Sequence, residues 1–71
     1  MRDTIISEMS SSYAEQINNY KTTIEGYLTS NTEMTSSFDI ITETEKNLDV
    51  MVKYHHRLEL LKNYFPVTGS L

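Results

Sequence analysis

Apolar residues in the first half of the chain recur at helical spacing. Ile6, Tyr13, Ile17, Tyr20, Ile24 and Tyr27 follow one another at steps of 7, 4, 3, 4 and 3. Ile17 and Ile24 therefore share one heptad position, and Ile6, Tyr13, Tyr20 and Tyr27 share the other. Met9 and Leu28 widen this stripe, while Ser10, Ser11 and Ser12 interrupt it. The spacing predicts a helix over about 4–29, roughly 39 Å long, with Asp3 as its N-cap. From Ser30 to Ser37 seven of eight residues are polar, several of them types that favour caps and turns. This predicts a loop of about six to eight residues, short enough to make its flanking helices antiparallel neighbours. Ser36 with Asp39 resembles an N-cap with a first-turn acid. Thr42 with Glu45 is a second capping box, which leaves the boundary open by one turn.

A second helix is predicted from about 37 to 64, stopped by Pro66, whose ring disfavours α geometry at Phe65. Here the apolar positions form two stripes. Ile41, Leu48, Met51, Val52, His55 and Leu58 make one; Val50, Tyr54, Leu58, Leu61 and Phe65 make the other, with Leu60 and Tyr64 close by. Two glycines and one proline are too little punctuation for a many-turned β fold. The expected architecture is all-α: one two-helix antiparallel hairpin over residues 1–71, coiled-coil-like, with 66–71 a loose tail.

Length turns the second stripe into an expectation about partners. Seventy-one residues bury only roughly 60% of the surface that the unfolded chain exposes. Domains this small usually need a disulfide, a metal or a partner chain. The chain has no cysteine, which removes disulfides and thiolate metal sites. A hairpin satisfies one stripe per helix, and the second helix carries two. Leaving three or four large apolar side chains in water forfeits about 1.5–3 kcal/mol each, a sum comparable with the stability of a small domain. A partner chain is therefore expected on Val50, Tyr54, Leu58, Leu61, Tyr64 and Phe65. The competing reading is a short third element, or the tail folding back over that stripe.

Charge narrows the partner. Residues 1–49 hold three bases against nine acids, and residues 50–71 three bases against one acid, for a net −4. An acidic chain lacks the footprint of a nucleic-acid binder and is repelled by anionic membranes. No apolar run reaches the roughly 18–20 residues that span a bilayer, and no signal-like segment is visible at Met1–Glu8. The expectation is a cytoplasmic protein with a protein partner, no nucleic acid and no membrane insertion.

Residues capable of site chemistry are present but scattered. Adjacent helical side chains point about 100° apart, so His55 and His56 cannot ligate one ion together. His55 with Glu59 has the i,i+4 spacing, yet two ligands make a weak site. Serine and threonine are abundant without a glycine-flanked elbow or an orienting third group. Glu43 and Glu45 sit in a solvated acidic stretch. The expectation is a non-enzyme without cofactor, metal or catalytic residues. Tyr13, Tyr20 and Tyr27 read either as core or as an aromatic binding row; alternation with Ile17 and Ile24 favours core. Gly26 reads as a close-approach point or as an incidental weak spot.

The long first helix, the polar loop and the apolar run Phe38-Asp39-Ile40-Ile41 continuing to Leu48-Asp49-Val50-Met51-Val52 resemble one family. It is the small needle-subunit co-chaperones of bacterial type III secretion systems. The resemblance covers roughly Tyr13 to Phe65 and extends to the Ser/Thr/Asn/Ile/Tyr-rich composition. It implies a helical hairpin that pairs with a larger helical-repeat chaperone and keeps an export substrate soluble. Two other readings stand beside it: a self-assembling secretion or phage structural subunit, and a small acidic regulator of an enzyme or transcription factor.

Overall fold

The two heptad patterns fold into two helices packed against each other, the all-α hairpin expected. The computed structural model describes residues 1–29 and 37–68. Helix α1 runs Arg2–Thr29 and α2 runs Ser37–Tyr64, 28 residues each. Together they form a rod of 50 × 17 × 16 Å. The predicted loop, the Ser36 cap and the last three tail residues lie outside the described residues.

The seam of α1 is the stripe read from its spacing, with the serine gap included. Ile6, Ser10, Tyr13, Ile17, Tyr20, Ile24 and Tyr27 are all buried or half-buried. Their steps alternate between 4 and 3, as a two-helix seam requires. On α2 the matching positions are Ile40, Thr44, Asn47, Met51, Tyr54, Leu58 and Leu61, all half-buried. Tyr13 meets Tyr54 with ring centroids 5.8 Å apart, and Tyr20 meets Tyr54 at 6.3 Å. Ile6 shares a groove with Leu61, and Ile17 shares another with Met51. This antiparallel register carries Ile24 to the level of Thr44 and Tyr27 to that of Ile40.

The core is thin. Ile6 and Ile24 are the buried hydrophobic residues among those described, each 9% exposed. The seam's middle is held by the three tyrosines, with the Arg57 guanidinium 5.9 Å from the Tyr13 ring and 5.8 Å from the Tyr54 ring. That places a cation against both aromatic faces. Toward the loop end the seam turns polar: Asn47 donates to the Glu43 carbonyl at 2.7 Å, and the buried Thr44 Oγ1 has no hydrogen-bond partner among the described residues. Threonines elsewhere satisfy themselves locally. Thr22, Thr23, Thr29 and Thr42 each donate to the carbonyl four residues back, which lets hydroxyls sit inside helices.

Three expectations about the ends are corrected. Asp3 is not the N-cap: the Ile5 amide already donates to the Met1 carbonyl at 3.0 Å, so α1 starts earlier and Asp3 lies in its first turn. Thr42 does not open the second helix but lies within it, its hydroxyl turned back to Phe38. The tail is not loose over 66–68. Thr68 donates to the Asp3 carboxylate from its hydroxyl at 2.6 Å and from its amide at 3.3 Å. Arg2 donates to the Pro66 carbonyl at 3.1 Å. Pro66 ends α2 and turns the chain back across the start of α1, where these polar groups meet. The two Thr68 hydrogen bonds, aided by neighbouring Arg2, hold the Asp3 carboxyl below its ordinary pKa.

Candidate docking surface

The six residues expected to face a partner divide into two groups. Val50, Tyr54, Leu58 and Leu61 are half-buried. Tyr54 lies among the rings of α1, and Leu61 lines a groove of about 240 Å³ with Ile6, Phe65 and Val67. Tyr54, Leu58 and Leu61 are positions of the hairpin's own seam, not of its uncovered face, so the expectation of free surface is corrected for these three; Val50 is half-buried outside the seam positions. The tail folds back over the seam's end, the alternative that the sequence had left open. Tyr64 and Phe65, 70% and 52% exposed, are the members that stay in water.

On the other stripe of α2 further apolar side chains are uncovered, as Phe38 and Leu60 are elsewhere on the helix. Ile41 is 54% exposed, Leu48 45% and Val52 66%. The two stripes share Leu58, and the seam settles between them, taking Met51 from one and Tyr54 and Leu61 from the other. Thr44 and Asn47 hide this solution in the sequence. They are polar, so a hydrophobicity pattern passes over the positions that complete the seam. It is drawn instead to Ile41 and Leu48, one residue C-terminal to the neighbouring seam positions Ile40 and Asn47.

An open groove of about 400 Å³ runs along this face, lined by Ile17 of α1 and by Leu48, Met51, Val52, His55, His56 and Glu59 of α2. Its walls are aliphatic with imidazoles at one end, which suits the ridge of a neighbouring helix. His55 Nδ1 lies 3.8 Å from Glu59 Oε1, both side chains exposed. Among the described residues no group of three or more histidines and carboxylates gathers where it could hold a metal ion. No helix among them is long and apolar enough to cross a membrane.

Charges frame the stripe unevenly. Glu43 pairs with Lys46 at 3.1 Å. Asp49 and Lys53 have helix-pairing spacing but make no ion pair among the described residues, and neither do Glu45 or His56. Gly26 is exposed on α1, and among the described residues nothing lies within 4 Å of where a Cβ would stand. Its close-approach reading therefore has no occupant within the hairpin. No protein-family model, curated protein or solved structure matches this chain.

Proposed function

We propose that this chain is a protein-interaction module, a hairpin that presents the outer stripe of α2 to a helical partner. The observation that carries the reading is the exposure of Ile41, Leu48 and Val52 along one face. An apolar row at helical spacing on a molecule with so little core of its own is the mark of a surface built to be covered. Helix-in-groove docking is the recognition mode that such a row fits. The finer form of the reading is a cytoplasmic co-chaperone, in the manner of type III needle co-chaperones, that pairs with a larger helical chaperone and keeps an export substrate soluble. Its support is the hairpin architecture, the acidic surface and the unfilled stripe.

The test is site-specific photo-crosslinking in the native host. A photoreactive residue at Val52 is expected to capture one defined protein, whereas the same residue at Asn18 on the outside of α1 captures none. Equal capture from both positions sinks the reading. Identification of the captured chain as a helical-repeat chaperone supports the co-chaperone form, and an unrelated enzyme or transcription factor replaces it with the regulator form.

A further inference from the structure

We infer that the outer stripe of α2 accepts a second copy of the same chain, antiparallel, to give a four-helix assembly with its dyad at the level of Val50. This rests on the reading of that stripe as a docking surface and names its occupant. Ile41, Glu45, Leu48, Val52, His55 and Glu59 follow one another at steps of 4, 3, 4, 3 and 4, a second seam pattern beside the one used within the hairpin. The exposed apolar residues of α1, such as Ile5, Met9 and Leu28, form no such row.

The pattern is complementary to itself only when reversed. A dyad at Val50 sets Leu48 against the second copy's Val52 and Glu45 against its His55. It sets Ile41 against the aliphatic stem of its Glu59. Along one edge of the stripe Glu45 and Asp49 come first, and Lys53 and His56 follow. Antiparallel packing brings like edges together, so Glu45 of one copy lies level with His56 of the other and Lys53 lies beside the two Asp49 carboxylates that face each other across the dyad, twice by symmetry. A parallel pair in register would set Glu45 against Glu45 and Glu59 against Glu59. The four edge groups are without ion pairs within the hairpin's described residues, so docking would break no existing ion pair there. With three aliphatic side chains per copy, the interface is small and fits a dissociation constant of roughly 1–100 µM.

Sedimentation equilibrium of the full chain tests this directly. The wild type is expected to dimerise, and Val52→Asp to weaken the dimer roughly 100-fold, because symmetry removes a buried valine twice. Helix content by circular dichroism checks that the variant still folds. Lys53→Glu is expected to weaken the dimer about fivefold, and adding Asp49→Lys to restore it. Since the chain has no cysteine, single cysteines report orientation. Leu48→Cys and Val52→Cys chains, mixed and oxidised, should link to each other faster than Ile41→Cys links to itself. A faster Ile41→Cys self-link, or an unrestored double variant, overturns the antiparallel pairing. A monomer at roughly 500 µM overturns the second copy as occupant and leaves the docking surface standing. A dimer indifferent to Val52→Asp overturns the outer stripe as the place where the second copy docks.

Discussion

Helix α2 carries two apolar rows of similar spacing, and they have opposite fates. Along the inner row Met51, Tyr54, Leu58 and Leu61 are half-buried against α1. Along the outer row Ile41, Leu48 and Val52 remain largely in water. The inner row wins because α1 offers it an aromatic surface: Tyr54 sits between Tyr13 and Tyr20, and Arg57 covers the cluster. The outer row is aliphatic and offers less area per residue. Two tyrosines touching a third hold a seam that contains a serine, a threonine and an asparagine. Hydrophobicity alone does not decide which face of a helix is buried; the size and fit of the opposing side chains do.

The largest expected effect separates the rows outright. Leu58→Asp sets a charge in the seam and should cost about 3 kcal/mol or more. That is enough to unfold much of a domain whose total stability is roughly 4–10 kcal/mol. Circular dichroism would show the loss of helix, and a folded Leu58→Asp hairpin would exchange the roles of the two rows. Tyr54→Ala comes next, at about 2–3 kcal/mol for the lost aromatic packing, read as a fall in the urea midpoint. Thr44→Val should stabilise by about 1–2 kcal/mol, since it replaces a buried hydroxyl lacking a partner with a methyl of the same shape. No gain would mean that water reaches the seam there.

Gly26→Ala should raise stability by roughly 0.8–1 kcal/mol, or about 4–8 °C in Tm, because its surroundings are open. The same substitution should leave pairing through α2 unchanged. The smallest effect is on the clasp. The folded Asp3 pKa lies below its unfolded value. Its contribution is therefore complete above the ordinary carboxylate range and is lost as pH falls through the folded pKa. Amide exchange at Thr68 is expected to become less protected below about pH 4, ahead of exchange along the seam, and Asp3→Asn should abolish that pH step.

Much of the hairpin was legible in the residues. The α1 stripe was readable because every seam position except Ser10 carries a large apolar side chain, so one interruption left the period intact. Pro66 placed the end of α2 because its ring acts on the backbone locally. The uncovered row of α2 lies beside the one that the spacing singles out, for a physical reason. Polar Thr44 and Asn47 occupy half of the true seam near the loop, while Ile41 and Leu48 lie beside it. The choice between rows rests on tyrosine contacts across the helices, which no spacing within α2 reveals. The clasp was equally invisible, since it joins groups 65 positions apart through short polar side chains that form no periodic pattern.

That clasp ties residues 2–3 to residues 66–68 at one end of a rod about 50 Å long. A pull applied at the two sides of this end acts across the seam and not along it. The helices would then separate like a zipper, one layer at a time, with the clasp first to yield and Ile6–Leu61 next. A machine that draws such a chain apart from that end never has to break more than one layer at once, whereas a pull along the rod would load them all together.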